Sequence, residues 1–500
     1  MGLDRIEDLF ADIPEAHRFP QLDLPPARSE VEILAEIDEL AARNEAGTGH
    51  LSFVGAGAYE HFIPSVVDYL SGRGEFATSY TPYQAEASQG TVQTIFEYQS
   101  MMAALLGMEV VNASHYDGAT AVAEAGIMAV RSTRGRSTVA LSGTLHPEYL
   151  DVAATYLRPQ GVAMNIVGRP AGDGEAGPDI QALVDAVDED TACLVVQNPD
   201  FLGRLHDLSG LAEAVHAKGA LLVLHVDPIA TALLRSPGSL GADIVTGEGQ
   251  PLGIPVSFGG PYLGIFAASK KLVRKMPGRL AGQTTDAEGR RGFVLTLNTR
   301  EQHIRREKAT SNICTNQGLM ALRAAVYLAS MGPEGLKEVA NLCYQKAHYA
   351  ADRLSAIPGC SVNNFGTTPF FREFVLRTPV PASAVVEAAA AANDVIPGLA
   401  LSRYYPDRTH ELLVAVTEQY SRAQIDRLAD AVEGALAASE VSSCAATTTS
   451  PTTRPPRRSS PRRTQPARRC RHRTRPLRRG PTPPAVPRRS PRTTSSAHPS

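Results

Sequence analysis

Four short segments in the first half of the chain carry residue types that can bind a ligand at one edge of a sheet. The run Asp117-Gly118-Ala119-Thr120 opens a predicted helix, where small side chains leave backbone N–H groups free for a phosphate. His146 follows a predicted strand, so its imidazole can stack on a flat ring. Asn198 and Asp227 follow two further strands, and a carboxylate there can pair with a protonated pyridine nitrogen.

Each segment alone also has a purely structural explanation. A run of small residues after an aspartate is a good helix start, a single histidine is commonly an ordinary surface or core residue, and a strand-end aspartate often caps the next helix. Their order along the chain, however, resembles that of a pyridoxal-phosphate enzyme of the aspartate aminotransferase fold: phosphate loop, stacking ring, oxygen contact, pyridine aspartate. The resemblance implies a lysine about twenty residues after Asp227, which would form the Schiff base with the cofactor.

No lysine occupies that place. The chain has seven lysines, and none lies between Asp227 and Lys270. Gln250 stands in the corresponding segment, and its amide nitrogen is not a nucleophile. The sequence therefore predicts the fold of a cofactor enzyme without a catalytic nucleophile of its own.

The elements that would position these residues alternate along the chain. Fully apolar strands between amphipathic helices indicate a mostly parallel sheet covered on both faces. After about residue 330 the order changes to that of a smaller α+β domain. Strands are predicted at 138–142, 162–167, 193–197, 221–226, 243–246, 262–267, 371–376 and 411–417, and helices at 118–134, 147–157, 179–188, 207–219, 336–357, 382–393 and 423–438.

The predicted organisation has four parts: an N-terminal helical segment (1–60), a large α/β domain (61–330), a small α+β domain (331–445) and a tail (446–500). Within the first part, Ser29 and Glu32 form a capping box that opens a helix. Gly55-Ala56-Gly57 lacks the third glycine of a nucleotide-binding loop, and no strand clearly precedes it, so a turn is the simpler interpretation.

The tail differs in composition from the rest of the chain. Residues 446–500 hold 15 arginines and 12 prolines but no lysine or acidic residue, whereas the other residues carry 34 basic and 52 acidic side chains. So few apolar residues predict disorder. Clustered arginine is typical of a polyanion-binding arm, but no nucleic-acid module accompanies it. The composition also matches out-of-frame translation of a GC-rich gene end, which is the interpretation we favour, and we expect no nucleic-acid partner.

Several classes of protein are excluded by composition. No apolar run reaches the length of about 18 residues that a membrane-spanning helix needs, so no membrane association is expected. The first residues are acidic and resemble neither a secretory signal nor a transit peptide. Six cysteines without a CxxC spacing indicate reduced thiols and no metal site. Together these features predict a cytoplasmic protein.

Longer stretches give a more specific resemblance. The chain resembles subunit 1 of the glycine cleavage system P-protein, the decarboxylating glycine dehydrogenase, over most of residues 1–440. The similar stretches include SFVGAGAYEHFIPSVVDYL (52–70), YTPYQAEASQGTVQTIFEYQSMMAALLGM (80–108), GEGQPLGIPVSFGGPYLGIFA (247–267) and the run from Met276 to Gln317.

This resemblance implies an activity and partners. The family enzyme uses pyridoxal phosphate to decarboxylate glycine and passes the aminomethyl group to the lipoyl arm of the H-protein. In the split form subunit 2 bears the lysine, and Gln250 falls at that position here. The resemblance thus implies a heteromer, with α2β2 stoichiometry expected, whose cofactor sits in the lysine-bearing partner and is not covalently bound to this chain. The alternative is a structural or regulatory pseudo-enzyme that only stabilises that partner.

The same resemblance suggests which residues could line the partner's site. Enzymes of this fold build active sites at subunit interfaces, with loops of one subunit over the cofactor of the other. Two polar segments without helical periodicity are candidates, although polar loop residues often serve only solvation. The candidates are Tyr80, Thr81, Tyr83, Gln84, Asn312 and Asn316.

Overall fold

The computed structural model describes residues 2–18, 21–44, 50–77, 81–313, 315–362 and 368–447, with side chains up to residue 439. The predicted tail lies outside these residues, apart from its first two positions, so the prediction of disorder stays a prediction. Among the described residues, no helix combines the length and the apolar character needed to cross a membrane.

The helices and strands follow one another along most of the described chain. The α-helices are α1 (Glu30–Ala41), α2 (Ser65–Ser71), α3 (Gly74–Ala77), α4 (Gln89–Leu106), α5 (Gly118–Ser132), α6 (Pro147–Leu157), α7 (Ile180–Asp185), α8 (Leu211–Ala217), α9 (Gln302–Arg305), α10 (Gly318–Ser355), α11 (Ala382–Asn393) and α12 (Arg422–Thr447). The strands are β1 (Leu51–Ser52), β2 (Val110–Val111), β3 (Thr138–Ser142), β4 (Ala163–Val167), β5 (Thr191–Asn198), β6 (Leu221–Val226), β7 (Ile244–Glu248), β8 (Gly264–Ala268), β9 (Leu280–Thr285), β10 (Arg291–Thr296), β11 (Ser361–Val362), β12 (Glu373–Arg377), β13 (Val395–Ile396), β14 (Leu399–Ala400) and β15 (Glu411–Ala415).

A seven-stranded sheet in the order β2-β8-β7-β6-β5-β3-β4 forms the centre of the larger part. Strands β3 to β7 pair in parallel, and β8 runs antiparallel to both of its neighbours. Alternate residues of β5 enter two different apolar cores, Leu194 and Val196 on one face and Cys193 and Val195 on the other. Both faces are therefore covered, which explains why these strands read as continuous apolar runs.

The smaller part has a four-stranded antiparallel sheet in the order β11-β12-β15-β14 and its own apolar core. The helix predicted at 336–357 is the second half of the longer α10, so that predicted start was wrong. Gly332 has non-helical torsion angles (φ 61°, ψ −179°) immediately before Pro333, and this break separates the two halves.

No described residue of the N-terminal segment from 2 to 44 is buried, and the first buried residue among those described is Phe53. The predicted capping box of α1 is confirmed, with Ser29 accepting from the Glu32 N–H and Glu32 accepting from the Ser29 N–H. A two-residue strand, β1, does precede Gly55, contrary to the sequence interpretation, and it pairs in parallel with the distant β13. A strand of two residues, Leu51 and Ser52, is too short to give a detectable sequence pattern.

Candidate functional site

The candidate site lies at the carboxyl ends of the parallel strands, where open α/β sheets bind ligands. A cavity there has a volume of only about 40 Å³. Its walls include Tyr59, His146, Asp227, Glu248 and Arg372. We call it the closed pocket, since its polar groups are bonded to one another, as the following contacts show.

The start of α5, predicted to hold a phosphate, already holds a carboxylate. The N–H of Gly118 donates to Glu248 Oε2 at 2.9 Å, and Glu248 Oε1 accepts from Gln250 N at 2.9 Å and Leu263 N at 3.1 Å. Asp117 caps its own helix by accepting from Thr120 N at 2.7 Å, and Ala119 is buried. Burial raises the pKa of Glu248 to about 8, although the three N–H donors lower it.

Gln250 occupies the expected lysine position at the end of β7 and is 1% exposed. Its Oε1 accepts from Tyr59 N at 2.9 Å. Its Nε2 donates to Tyr59 O at 2.9 Å and Ile254 O at 2.8 Å. The amide thus satisfies one donor and two acceptors of the backbone, which an ammonium group cannot do because it has no acceptor atom.

Asp227, the expected partner of a pyridine nitrogen, forms an ion pair with Arg372. Arg372 is 2% exposed and lies over the Tyr59 ring, 3.5 Å from its centroid. The other oxygen of Asp227 accepts from Ile229 N at 2.8 Å and Ala230 N at 3.1 Å. The carboxylate of Asp227 is therefore already paired with a buried guanidinium, so it needs no positive charge from a ligand.

The segment Gly55–Tyr59, which contains the predicted glycine turn, fills the remaining space. His146 Nε2 donates to Ala56 O at 2.9 Å, and Tyr59 Oη donates to Glu373 Oε2 at 2.7 Å. A Cβ on Gly55 would lie 2.2 Å from Ala415, and φ is +55° there, so only glycine fits. The His146 ring stacks on Tyr149 with centroids 4.6 Å apart, and burial lowers its pKa.

The closed pocket does not fit pyridoxal phosphate. The N–H of Gly118 is engaged by Glu248, Asp227 is paired with Arg372, and His146 is already stacked on a tyrosine. The volume of about 40 Å³ holds little more than a water molecule, whereas ligand sites typically have roughly 300–1,000 Å³. No chemical step on the cofactor is assigned to this pocket.

Asn198 lies at the end of β5 but is not among the residues that line the closed pocket. Its Oδ1 accepts from His206 N at 3.0 Å, so its side chain holds the turn that follows the strand. The preceding residue, Gln197, lines the pocket and accepts from His146 N at 2.9 Å. Because side chains alternate along a strand, a shift of one residue reverses the face reached.

The residues predicted to reach a partner are distributed over three places. Thr81 and Asn316 line one cavity of about 360 Å³, together with Gln317, and we call it the loop cavity. Asn316 Nδ2 donates to Ala113 O at 2.8 Å, which fixes that loop to the large sheet. Asn312 lines a different cavity, so the structure does not bring it to the loop cavity.

Tyr83 is half-exposed and accepts from Arg279 Nη2 at 2.8 Å. The Arg279 guanidinium also lies over the Tyr83 ring, 5.2 Å from its centroid. Gln84 is exposed. Tyr80 lies outside the described residues, so its placement is not assigned.

One buried chain of groups was missed by the sequence reasoning. Arg372 Nη1 donates to His61 Nε2 at 2.6 Å, and His61 Nδ1 donates to Glu418 Oε2 at 2.6 Å. The Cys343 thiol donates to the same Glu418 oxygen at 3.4 Å. The His61, Cys343 and Glu418 ligand atoms cluster, but both nitrogens of His61 are engaged in hydrogen bonds. These residues come from distant parts of the chain, so no spacing reveals them.

Comparison with known proteins identifies the family of the chain. A family model described as glycine cleavage system P-protein matches residues 1–432. A probable glycine dehydrogenase (decarboxylating) subunit 1 of Thermomicrobium roseum is 53% identical over 438 residues, covering 87% of this chain and 96% of the relative. A crystal structure of glycine decarboxylase (P-protein) of the glycine cleavage system, in inhibitor-bound form, superposes with a TM-score of 0.79 at 44% identity, covering 87% of this chain and 96% of that one.

More distant structures share the fold alone. Glutamate decarboxylase of Lactobacillus brevis superposes with a TM-score of 0.61 at 13% identity, covering 86% of this chain and 97% of that one. The fold and the strand-end site thus define the chain as a member of the aspartate aminotransferase-like, fold type I class, as the sequence predicted. Within that class, the chain belongs to the glycine cleavage system P-protein family. Pyridoxal phosphate is the cofactor of this family's fold.

Proposed function

We propose that this chain is the subunit of a glycine dehydrogenase (decarboxylating) that lacks the Schiff-base lysine. A homologous partner carries that lysine and the pyridoxal phosphate. The complex, an α2β2 heterotetramer, decarboxylates glycine and transfers the aminomethyl group to the lipoyl arm of the H-protein. The similarity to proteins named glycine dehydrogenase (decarboxylating) subunit 1 over 87% of the chain supports this assignment.

The main observation in support of placing the chemistry in the partner, and not in this chain, is the hydrogen bonding of Gln250. All three of its amide hydrogen bonds go to the backbone of Tyr59 and Ile254, at 2.8–2.9 Å. A residue integrated in this way supports the fold and offers no group to a substrate. The chemistry is therefore assigned to the partner.

This chain's own contribution is assigned to its exposed polar loops. Thr81 and Asn316 lie in the loop cavity, and Tyr83 is oriented by Arg279 nearby. Asn316 is anchored by Ala113, so the loop is held in place before any partner binds. In the complex these side chains bind and orient groups at the partner's site and exclude water from it.

The test is reconstitution with a lysine-bearing homologue. We expect glycine-dependent CO₂ exchange, in the presence of lipoylated H-protein, only when both chains are present. In the assembled complex, Tyr83→Phe or Thr81→Val should lower turnover by about 100-fold if each removes a hydrogen bond to a reacting group. Size-exclusion chromatography should show unchanged assembly for both variants.

The pseudo-enzyme alternative gives a different result in the same experiment. If the partner alone sustains full glycine decarboxylation, or if the loop variants leave turnover unchanged in an intact complex, the chain only stabilises its partner. Glu387→Ala, on the remote helix α11 of the smaller part, is a matched control that should change neither assembly nor turnover.

A further inference from the structure

A second cavity, distinct from the closed pocket and the loop cavity, lies between α5, the end of α6 and the segment 302–312. Its volume is about 430 Å³, which is within the range of small-molecule sites. Its walls include Glu124, Arg131, Tyr156, Arg306 and Glu307. We call it the Glu124 cavity.

Glu124 is the buried group of this cavity. It belongs to α5, is 1% exposed, and its Oε2 has no hydrogen-bond partner among the described residues. Burial raises the pKa of Glu124 to about 7, whereas the Ser311 hydroxyl and the Arg131 charge lower it. A buried carboxyl oxygen without a donor is unfavourable, because its lost hydration is not replaced.

The Ser311 hydroxyl bonds to the carboxyl group and the Arg131 charge acts on it, but neither supplies a hydrogen bond to Oε2. Arg131 directs one guanidinium nitrogen to Ala309 O. Tyr156 faces Glu124 closely enough for the carboxylate to raise the tyrosine pKa, after the larger effect of burial. Arg306 and Glu307 are exposed on the 302–312 segment. The cavity therefore contains an acid with one unpartnered oxygen and has charges of both signs on its walls.

We propose that the Glu124 cavity binds a primary ammonium group, with Glu124 as its counter-ion. An ammonium donates three hydrogen bonds and offsets the charge of the buried carboxylate, which a neutral donor of the same size does not. Two sources have this chemistry. One is a free amino acid, whose carboxylate would accept hydrogen bonds from the arginines of the walls, and the other is a lysine side chain of the partner subunit. The second source rests on the proposed function.

The first arm of the test uses the isolated full-length chain and no partner. Propylammonium, n-propanol, propionate and glycine are titrated by calorimetry at pH 8, where Glu124 is ionised. We expect propylammonium to bind, the two other three-carbon probes not to bind, and Glu124→Gln to lower the propylammonium affinity at least 10-fold. Glu307→Gln, at the exposed acid of the same cavity, should change it less than twofold. Tighter binding of glycine than of propylammonium identifies the free amino acid as the source.

The second arm measures assembly with the lysine-bearing subunit by analytical ultracentrifugation. If no small probe binds, Glu124→Gln should weaken assembly at least 10-fold and Glu307→Gln should not. That result identifies a side chain of the partner as the source of the ammonium group. Glu124→Asp keeps the charge, so it should weaken binding and assembly less than Glu124→Gln does. This variant serves as the control for a folding defect. Equal binding of n-propanol, or no probe binding together with unchanged assembly, overturns the proposal and leaves a water-filled cavity. Neither result bears on glycine decarboxylation itself.

Discussion

The closed pocket and the loop cavity differ in how their polar groups are satisfied. In the closed pocket, Glu248, Gln250 and Asp227 are bonded to other parts of the same chain, and about 40 Å³ remains. In the loop cavity, Thr81 and Asn316 border about 360 Å³. The difference teaches that the polar groups of the closed pocket serve the fold, while the polar loops leave room for groups from elsewhere. Variants of the pocket should therefore affect stability, and variants of the loops should affect the complex.

The largest effect is expected for Arg372→Leu. This change leaves the partly buried Asp227 without its cation and removes a hydrogen bond to His61. Removing one partner of a buried ion pair typically costs about 3–5 kcal/mol. Urea unfolding should show this loss, whereas Arg377→Leu, at the exposed last residue of the following strand β12, should not. A loss below about 1 kcal/mol for Arg372→Leu would contradict a structural role for the pocket.

Gln250→Lys should have the next largest effect. Lysine cannot accept from Tyr59 N–H, so a buried donor is left unsatisfied at a cost of about 1–3 kcal/mol. Because the pocket does not fit pyridoxal phosphate, this variant should form no borohydride-fixed adduct with it at residue 250. Mass spectrometry after borohydride treatment checks this, with the exposed Gln419→Lys as the control. Stoichiometric labelling of residue 250 would show instead that the pocket opens.

A smaller, pH-dependent effect is expected for His225→Gln. His225 is 5% exposed and contacts Thr246 Oγ1 at 3.0 Å, and burial lowers its pKa from 6.5 to about 3. The unfolded chain therefore binds a proton below pH 6.5 that the folded chain does not, and stability is lost as pH falls. As pH falls from 6 to 4.5, the free energy of unfolding of the variant should rise relative to that of the wild type by about 1.4 kcal/mol per pH unit. Denaturant unfolding of the wild type and the variant at several pH values measures this, and the same pH dependence in both would contradict it.

The smallest effects on stability should occur in the loops. Asn312→Ala and Gln84→Ala change exposed side chains, so the free energy of unfolding should stay within about 0.5 kcal/mol of the wild type. Thermal unfolding of the isolated chain measures this directly. A loss comparable to that of Gln250→Lys would remove the distinction between the two regions.

The sequence predicted the positions of several strands and helices and the missing nucleophile, because these are local signals. Strand β3 (Thr138–Ser142), strand β6 (Leu221–Val226) and helix α6 (Pro147–Leu157) begin and end where the apolar patterns indicate. The absence of lysine at position 250 is visible in the letters alone. Such features depend on residues close together in the chain, which pattern reasoning handles well.

The contents of the pocket could not be predicted in the same way. Glu248 and Gly118 are 130 residues apart, and Tyr59 and Glu373 are 314 apart, so no periodicity connects them. Gln197 lines the closed pocket and Asn198 does not, because consecutive side chains of a strand point in opposite directions. Which groups pair in a buried site depends on tertiary packing, and a single sequence contains no local trace of it.

The pairing of β1 with β13 has a consequence for synthesis of the protein. The Leu51 N–H donates to Asp394 O, next to strand β13. Strand β1 is synthesised early, but it can pair only after β13 has left the ribosome. At 5–20 residues per second, this delay is roughly 20–70 s. During that interval Gly55–Tyr59 cannot be locked against Glu373, and the nascent chain carries an open pocket with unpaired charges. A chaperone that shields the sheet edge at this stage would cover polar groups that are paired in the folded subunit and not yet paired in the nascent chain.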